Sequence, residues 1–271
     1  MPELPEVETV VRTLEHQIKG ETIQAVHVLW DKIIVGDVEY FRKKLKGQSF
    51  RKFGRRGKYL IFELDDINLV CHLRMEGKFF YTEKVTPLQK HEHVVFQFKS
   101  GKELRYHDVR KFGKMELYPL STDWTDFKGL GPEPWEKEFN SNYCKEALKN
   151  RKGSIKQTLL DQSFVAGVGN IYADEICFQM KVNPARSCQR LTEKNRNDLI
   201  LATQQILKQA CDAGGTTIRS YTSSLGVTGR FQLEVKVHQR KDQPCPVCKT
   251  KIKKTKVATR GTYYCPTCQK R

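Results

Sequence analysis

Met1-Pro2-Glu3-Leu4-Pro5-Glu6-Val7-Glu8 opens the chain and reads as the start of a helix. Pro5 has the fixed φ and the missing N–H that suit a first helical turn. Val7, Val10, Val11, Leu14 and Ile18 then recur at helical spacing on one face, and Gly20 can end the helix. The same stretch carries chemistry. A proline beside the initiator predicts removal of Met1, which leaves Pro2 as a terminal secondary amine. Such an amine attacks an aldehyde carbon and gives a cationic iminium directly. An unperturbed α-amino group titrates near ~8, far below lysine, and a neighbouring helix N-terminus disfavours its protonated form. Glu3, Glu6 and Glu8 crowd the turn and supply proton donors or acceptors, although acids there also simply complement the helix dipole.

Outward from this helix, residues 22–118 are dominated by short strand-like runs. Residues 22–28, 59–64, 69–73, 94–98, 104–107 and 115–118 are apolar or alternating, and turn-rich or charged stretches separate them. This repetition predicts an antiparallel sandwich rather than a parallel sheet. Three connections are conspicuously polar: Arg55-Arg56-Gly57-Lys58, His72-Leu73-Arg74-Met75-Glu76-Gly77, and Asp108-Val109-Arg110-Lys111-Phe112-Gly113. Gly129-Leu130-Gly131-Pro132-Glu133-Pro134 reads as a rigid linker. Beyond it the chain reads helical: a short helix over 154–161, a glycine-rich turn opening a second over 171–180, and a long one capped by Thr192 and stopped by Gly214-Gly215. Two helices meeting beside a glycine-exposed helix N-terminus make a phosphate cradle. Residues 216–231 are rich in glycine, serine and threonine, and are expected to form a mobile loop that closes over a ligand.

Lys and Arg total 48 against 31 Asp and Glu, a net charge of +17, which points to a polyanion and first to nucleic acid. Eleven basic residues and one acid, Asp242, fall in the last 36 positions, so the charge is concentrated there. No apolar run approaches the ~18 residues that span a bilayer, and a soluble cytoplasmic protein is expected. Five of the nine cysteines are scattered. The other four form Cys245-Pro246-Val247-Cys248 and Cys265-Pro266-Thr267-Cys268, with sixteen residues between the pairs. That spacing predicts one structural zinc held by four thiolates, with a β-hairpin around Arg260-Gly261 between the knuckles.

Taken in order, these motifs resemble those of the bacterial formamidopyrimidine-DNA glycosylases, also called 8-oxoguanine-DNA glycosylases. The matches are 1–6, Gly54-Arg55-Arg56-Gly57-Lys58, 72–77, 108–113, 130–134, Gly169-Asn170-Ile171-Tyr172-Ala173-Asp174-Glu175 and the terminal zinc ribbon. The resemblance implies an α+β multidomain chain. Residues 1–128 would be a helix plus antiparallel β-sandwich, 129–134 a linker, 135–235 a helix–two-turn–helix domain with a lesion-capping loop at 216–231, and 236–271 a zinc ribbon. DNA would bind in the cleft between the halves. The implied enzyme excises an oxidised purine and then cuts the backbone by β,δ-elimination. By the same resemblance Pro2 is the nucleophile and Glu3 the general acid, with Lys58 and Arg260 completing the catalytic set. His72, Asn170 and Arg260 would grip phosphates, and Lys156 and Tyr221 would also contact DNA. Met75, Arg110 and Phe112 would fill the space left by the extruded nucleotide.

One departure is visible: Val237-His238-Gln239-Arg240 stands where the resemblance leads us to expect an aromatic residue followed by glycine. Three other readings stay open at this level. A sister enzyme for oxidised pyrimidines, resembling endonuclease VIII, would share the proline, glutamate and ribbon but carry glycine in place of Leu4 and lack the full Met–Arg–Phe trio. A non-catalytic DNA-binding zinc protein is the second, and a small-molecule enzyme using its terminal proline as a base is the third. The expected partner is double-stranded DNA with damaged purines or abasic sites, and the expected state is a monomer.

Overall fold

In the computed structural model, which describes residues 1–83, 87–216, 231 and 234–270, the opening helix α1 spans Leu4–Ile18. It buries Leu4, Val7, Val10, Val11, Leu14 and Ile18, the stripe read from the 3.6-residue spacing. Burying each of these aliphatic side chains contributes up to about 1.5–3 kcal/mol. The described chain divides into two compact units, Met1–Trp124 with the segment beginning at Gly214, and Thr125–Ala213 with the described residues from 231 on.

In the first unit, α1 is followed by β1 (Ile23–Val28), α2 (Val38–Leu45), β2 (Lys52–Arg56), β3 (Tyr59–Glu63), β4 (Ile67–His72), β5 (Lys78–Glu83), β6 (Glu92–Phe98), β7 (Lys102–His107) and β8 (Lys114–Pro119). All pairings are antiparallel, in two four-stranded sheets with orders β1-β6-β7-β5 and β2-β3-β4-β8. Leu60, Phe62, Leu69 and Cys71 of one sheet join Val94, Phe96, Leu104 and Tyr106 of the other in a single core, which makes the expected sandwich. Two strands went unread in the sequence, β2 and β5, and each is a sheet edge. Lys52-Phe53-Gly54-Arg55-Arg56 has little apolar alternation. The helix α2 was also unread.

The second unit is helical, as the sequence predicts. Asn140 caps α3 (Ser141–Lys149), Ser154 caps α4 (Ile155–Leu160), and Thr192 caps α6 (Glu193–Asp212). Between them α5 (Asn170–Gln179) is buried from Ile171 through Phe178. The stretch 129–134 is hydrogen-bonded into the second unit: Gly131 N–H donates to the Gln162 carbonyl and Ala166 N–H to the Pro132 carbonyl. The ribbon hairpin pairs β9 (Lys253–Val257) with β10 (Arg260–Tyr264). Its turn falls at Ala258 and Thr259, both left-handed at φ 49° and 65°, rather than at Arg260-Gly261. Arg260 is therefore the first residue of the return strand.

Of the loop expected over 216–231, only Thr216 and Phe231 lie among the described residues, and Tyr221 lies outside them. Thr216 packs with the first unit, not with the helical one that precedes it. Among the described residues, no helix is long and apolar enough to cross a membrane.

Candidate active site and nucleic-acid interface

Glu3 is the N-cap of α1, and its backbone N–H donates to Glu6 Oε2 at 2.9 Å, half of a reciprocal capping box. Both glutamates are buried, at 3% and 2% exposure. Glu6 does a second job that the sequence did not reveal. Its Oε1 accepts from Thr216 N–H at 2.8 Å and from the Thr216 hydroxyl at 3.0 Å, so one carboxylate ties the N-terminal turn to the root of the segment after α6. Pro2 is buried and Met1 exposed, and the Pro2 nitrogen is held in the peptide bond between them. Burial holds the Met1 amine below its ordinary pKa, and the Lys58 charge pushes the same way against Glu3, Glu6 and Glu76. Lys58, 5% exposed, follows Gly57, whose left-handed φ of 57° makes the tight connection between β2 and β3. The terminal amine, Glu3, Glu6 and Lys58 thus share one electrostatic environment.

Nearby in the chain, Arg55 donates to Glu8 Oε2 at 3.1 Å. Burial alone would raise the Glu8 pKa, but the Arg55 charge and hydrogen bond hold it below the ordinary value. His72 ends β4, where its Nδ1 accepts from Arg74 N–H at 2.9 Å and its ring meets Tyr59 edge-on. Met75 is half-buried, whereas Arg110 and Phe112 are exposed. Phe112 is 48% exposed and Arg110 stacks over its ring at 4.7 Å, so the aromatic is no part of the sandwich core. Asp108, fully buried, shapes this second turn. Its carboxylate accepts from the backbone N–H of Arg110, Phe112 and Gly113 at 3.0, 2.9 and 2.8 Å.

In the second unit, Asn170 opens α5 and its side-chain Nδ2 donates to the Gly261 carbonyl at 3.1 Å. Lys156, expected at the DNA surface, is instead 0% exposed. Its ammonium donates to Asp174 Oδ1 at 2.7 Å, Gly261 O at 3.0 Å and Thr262 Oγ1 at 2.9 Å. Asp174 Oδ2 lies 2.7 Å from His238 Nδ1. His238, at the departure noted above, therefore joins a buried Lys–Asp–His chain that fastens the hairpin beside Arg260. Glu175 accepts from the backbone N–H of Lys236, Val237 and His238, which holds the same turn; burial raises its pKa despite those donors. Arg260 itself is exposed. The helix pattern signalled that 174 and 175 lie on α5 but could not show that both face inward.

The sulfur atoms of Cys245, Cys248, Cys265 and Cys268 all lie within 4.8 Å of one another. Tetrahedral zinc with Zn–S of about 2.3 Å separates its sulfurs by about 3.8 Å. The Cys245–Cys268 and Cys248–Cys265 separations of 3.9 and 3.4 Å suit that geometry and are far too long for disulfides. One structural zinc fits this donor set.

Three family models match the chain: the formamidopyrimidine-DNA glycosylase N-terminal domain over residues 1–115, the formamidopyrimidine-DNA glycosylase H2TH domain over 130–222, and the zinc finger found in FPG and IleRS over 242–271. A formamidopyrimidine-DNA glycosylase of Bacillus licheniformis is 49% identical, with all of both chains covered. A Lactococcus lactis FPG variant solved with Fapy-dG containing DNA superposes with a TM-score of 0.95 at 40% identity, again over all of both chains. The Lactococcus lactis Fpg solved with DNA containing an abasic site gives 0.94 at 40% identity, covering 99% of this chain and 100% of that one.

Proposed function

The chain belongs to the formamidopyrimidine-DNA glycosylase family, and from that premise we propose how its own residues carry the repair reaction. It is a base-excision repair enzyme, a DNA glycosylase and abasic-site lyase that removes oxidised purines such as 8-oxoguanine and formamidopyrimidines. Removal of Met1 frees the Pro2 nitrogen as a terminal secondary amine, in a turn that also carries the buried Glu3. The lone pair attacks C1′ of the deoxyribose as the glycosidic bond breaks and the base leaves with a proton. Glu3 protonates the ring oxygen, the sugar opens, and the C1′–N bond becomes an iminium. That cation acidifies the C2′ hydrogen; its loss expels the 3′ phosphate, and a second elimination expels the 5′ phosphate. Water hydrolyses the remaining iminium and regenerates Pro2. Lys58 contacts phosphate and the base or sugar.

His72, Asn170 and Arg260 hold the phosphates flanking the lesion, while Met75, Arg110 and Phe112 fill the space of the flipped nucleotide. The exposed Arg110–Phe112 stack supports the second role, since a preformed cationic wedge offsets lost base stacking. Zinc, held by Cys245, Cys248, Cys265 and Cys268, supplies structure and no open position for water. The basic excess of +17 suits a duplex as partner, and we place the enzyme as a monomer at the DNA of a bacterial cytosol.

The observation that carries this reading is the buried terminal turn, in which the buried charges of Glu3, Glu6 and Lys58 all act on the chain terminus. Borohydride should trap a covalent adduct with lesion DNA, and Pro2→Gly should severely impair excision. A fully active preparation whose mass spectrum retains Met1 quantitatively would refute it.

A further inference from the structure

Two turns of the first unit are joined by one side chain to which no role has yet been given. Tyr106, on β7, is 1% exposed, and its ring packs against Phe79 with centroids 5.2 Å apart. Its hydroxyl lies against Gly77, the last residue of the turn that carries Met75, and against Gly113, the last residue of the turn that carries Arg110 and Phe112. A Cβ on either glycine would overlap that hydroxyl. The hydroxyl also reaches Asp108 Oδ2 at 3.4 Å, the same oxygen that accepts from Phe112 and Gly113 N–H.

Both turns are strained in the same way. Arg74, just before Met75, has φ 54°, and Lys111, just before Phe112, has φ 58°. A left-handed non-glycine residue costs about 1–2 kcal/mol and persists only where its surroundings over-determine it. Asp108 supplies that restraint within the second turn, and the Leu73 carbonyl, accepting from Gly77 N–H at 3.0 Å, supplies it within the first. Tyr106 is the contact common to both. We propose that Tyr106 is a positioning residue that couples the Met75 turn to the Arg110–Phe112 turn, so that the two enter the duplex as one rigid wedge rather than independently.

This rests on the assignment of Met75 and Phe112 to the space of the flipped nucleotide, and the experiment separates the two ideas. Single-turnover rates are measured on a paired 8-oxoguanine duplex and on a pre-formed abasic duplex, for Met75→Ala, Phe112→Ala and the double variant, each with Tyr106 intact and with Tyr106→Phe. Phenylalanine keeps the ring packed on Phe79 and removes only the hydroxyl. Tyr106→Phe alone should slow excision from the paired duplex about tenfold, with abasic cleavage falling less than about twofold. With Tyr106 intact, the double variant should lose at least about threefold less than the product of its single losses; with Tyr106→Phe the losses should multiply within about twofold. The same non-additivity in both backgrounds, or Tyr106→Phe slowing both substrates equally, overturns the coupling. Should Met75→Ala and Phe112→Ala each slow paired and abasic substrates alike, the wedge assignment itself falls, and the coupling with it.

Discussion

Replacing Lys156 with methionine tests the buried chain that fastens the zinc hairpin. The ammonium makes three hydrogen bonds, to Asp174, Gly261 and Thr262, and both Lys156 and Asp174 are 0% exposed. Methionine fills similar volume but leaves the Asp174 carboxylate buried without its cation. Breaking a buried pair from one side destabilises by roughly 3–5 kcal/mol. His238 Nδ1 at 2.7 Å and Tyr263 N–H at 3.3 Å remain on Asp174, which places the loss near the lower end, about 3 kcal/mol. For a chain of this size that lowers the melting temperature by roughly 6–12 °C. Because Gly261 follows Arg260, the proposed phosphate grip of Arg260 predicts that affinity falls for damaged and undamaged duplex together, since a phosphate contact carries no damage information. Scanning calorimetry and binding isotherms at two salt concentrations read both effects, with zinc content measured alongside. Lys156→Met/Asp174→Leu should recover much of the stability, since well-packed apolar residues often replace a buried ion pair without loss. A Lys156→Met protein that melts within about 1 °C of the parent, or a double variant that melts below the single one, would refute the reasoning.

Other expectations follow from single features. Gln239 sits at φ 59° in the departure segment, and Gln239→Gly should stabilise by about 0.5–1 kcal/mol, read as a raised melting temperature; a lowered one would show that its side chain contributes more than the strain costs. Cys248→Ser, or chelation of the zinc, should unfold the hairpin and abolish duplex binding, because Arg260 depends on it; unchanged affinity for lesion DNA would remove the metal from that role. Burial holds the His93 and His107 pKa values below the ordinary histidine value, so both are neutral at neutral pH. The folded state then binds fewer protons than the unfolded one, and the stability they contribute is present above about pH 6.5 and is lost as pH falls towards their folded values. Denaturant midpoints measured across that window should fall less for His107→Asn than for the parent, and identical pH slopes would assign the loss to other groups.

What the sequence determined by itself were the features set by local periodicity and by ligand chemistry. The apolar stripe from Val7 to Ile18 fixes α1 because 3.6-residue spacing leaves one face to bury. Two Cys-x-x-Cys pairs state a four-thiolate site because tight knuckles are what tetrahedral zinc needs. Strands β1, β3, β4, β6, β7 and β8 were legible from their apolar or alternating runs, edge and central alike, whereas β2, Lys52-Phe53-Gly54-Arg55-Arg56, carries little apolar alternation. Only the tertiary structure decided where charged side chains go. Lys156 looks like a surface cation, yet it is buried because Asp174 and two hairpin oxygens from about a hundred residues away satisfy all three of its donors. Glu6 looks like a dipole-complementing acid, yet it ties Glu3 to Thr216, 210 residues distant. The hairpin turn lies at Ala258 and Thr259 because β9 and β10 pair Val257 with Arg260, which leaves only those two left-handed residues between the strands. Such partnerships join residues far apart in the chain, so no local pattern records them, and the free energy of burying a charge is decided only by what the fold brings against it.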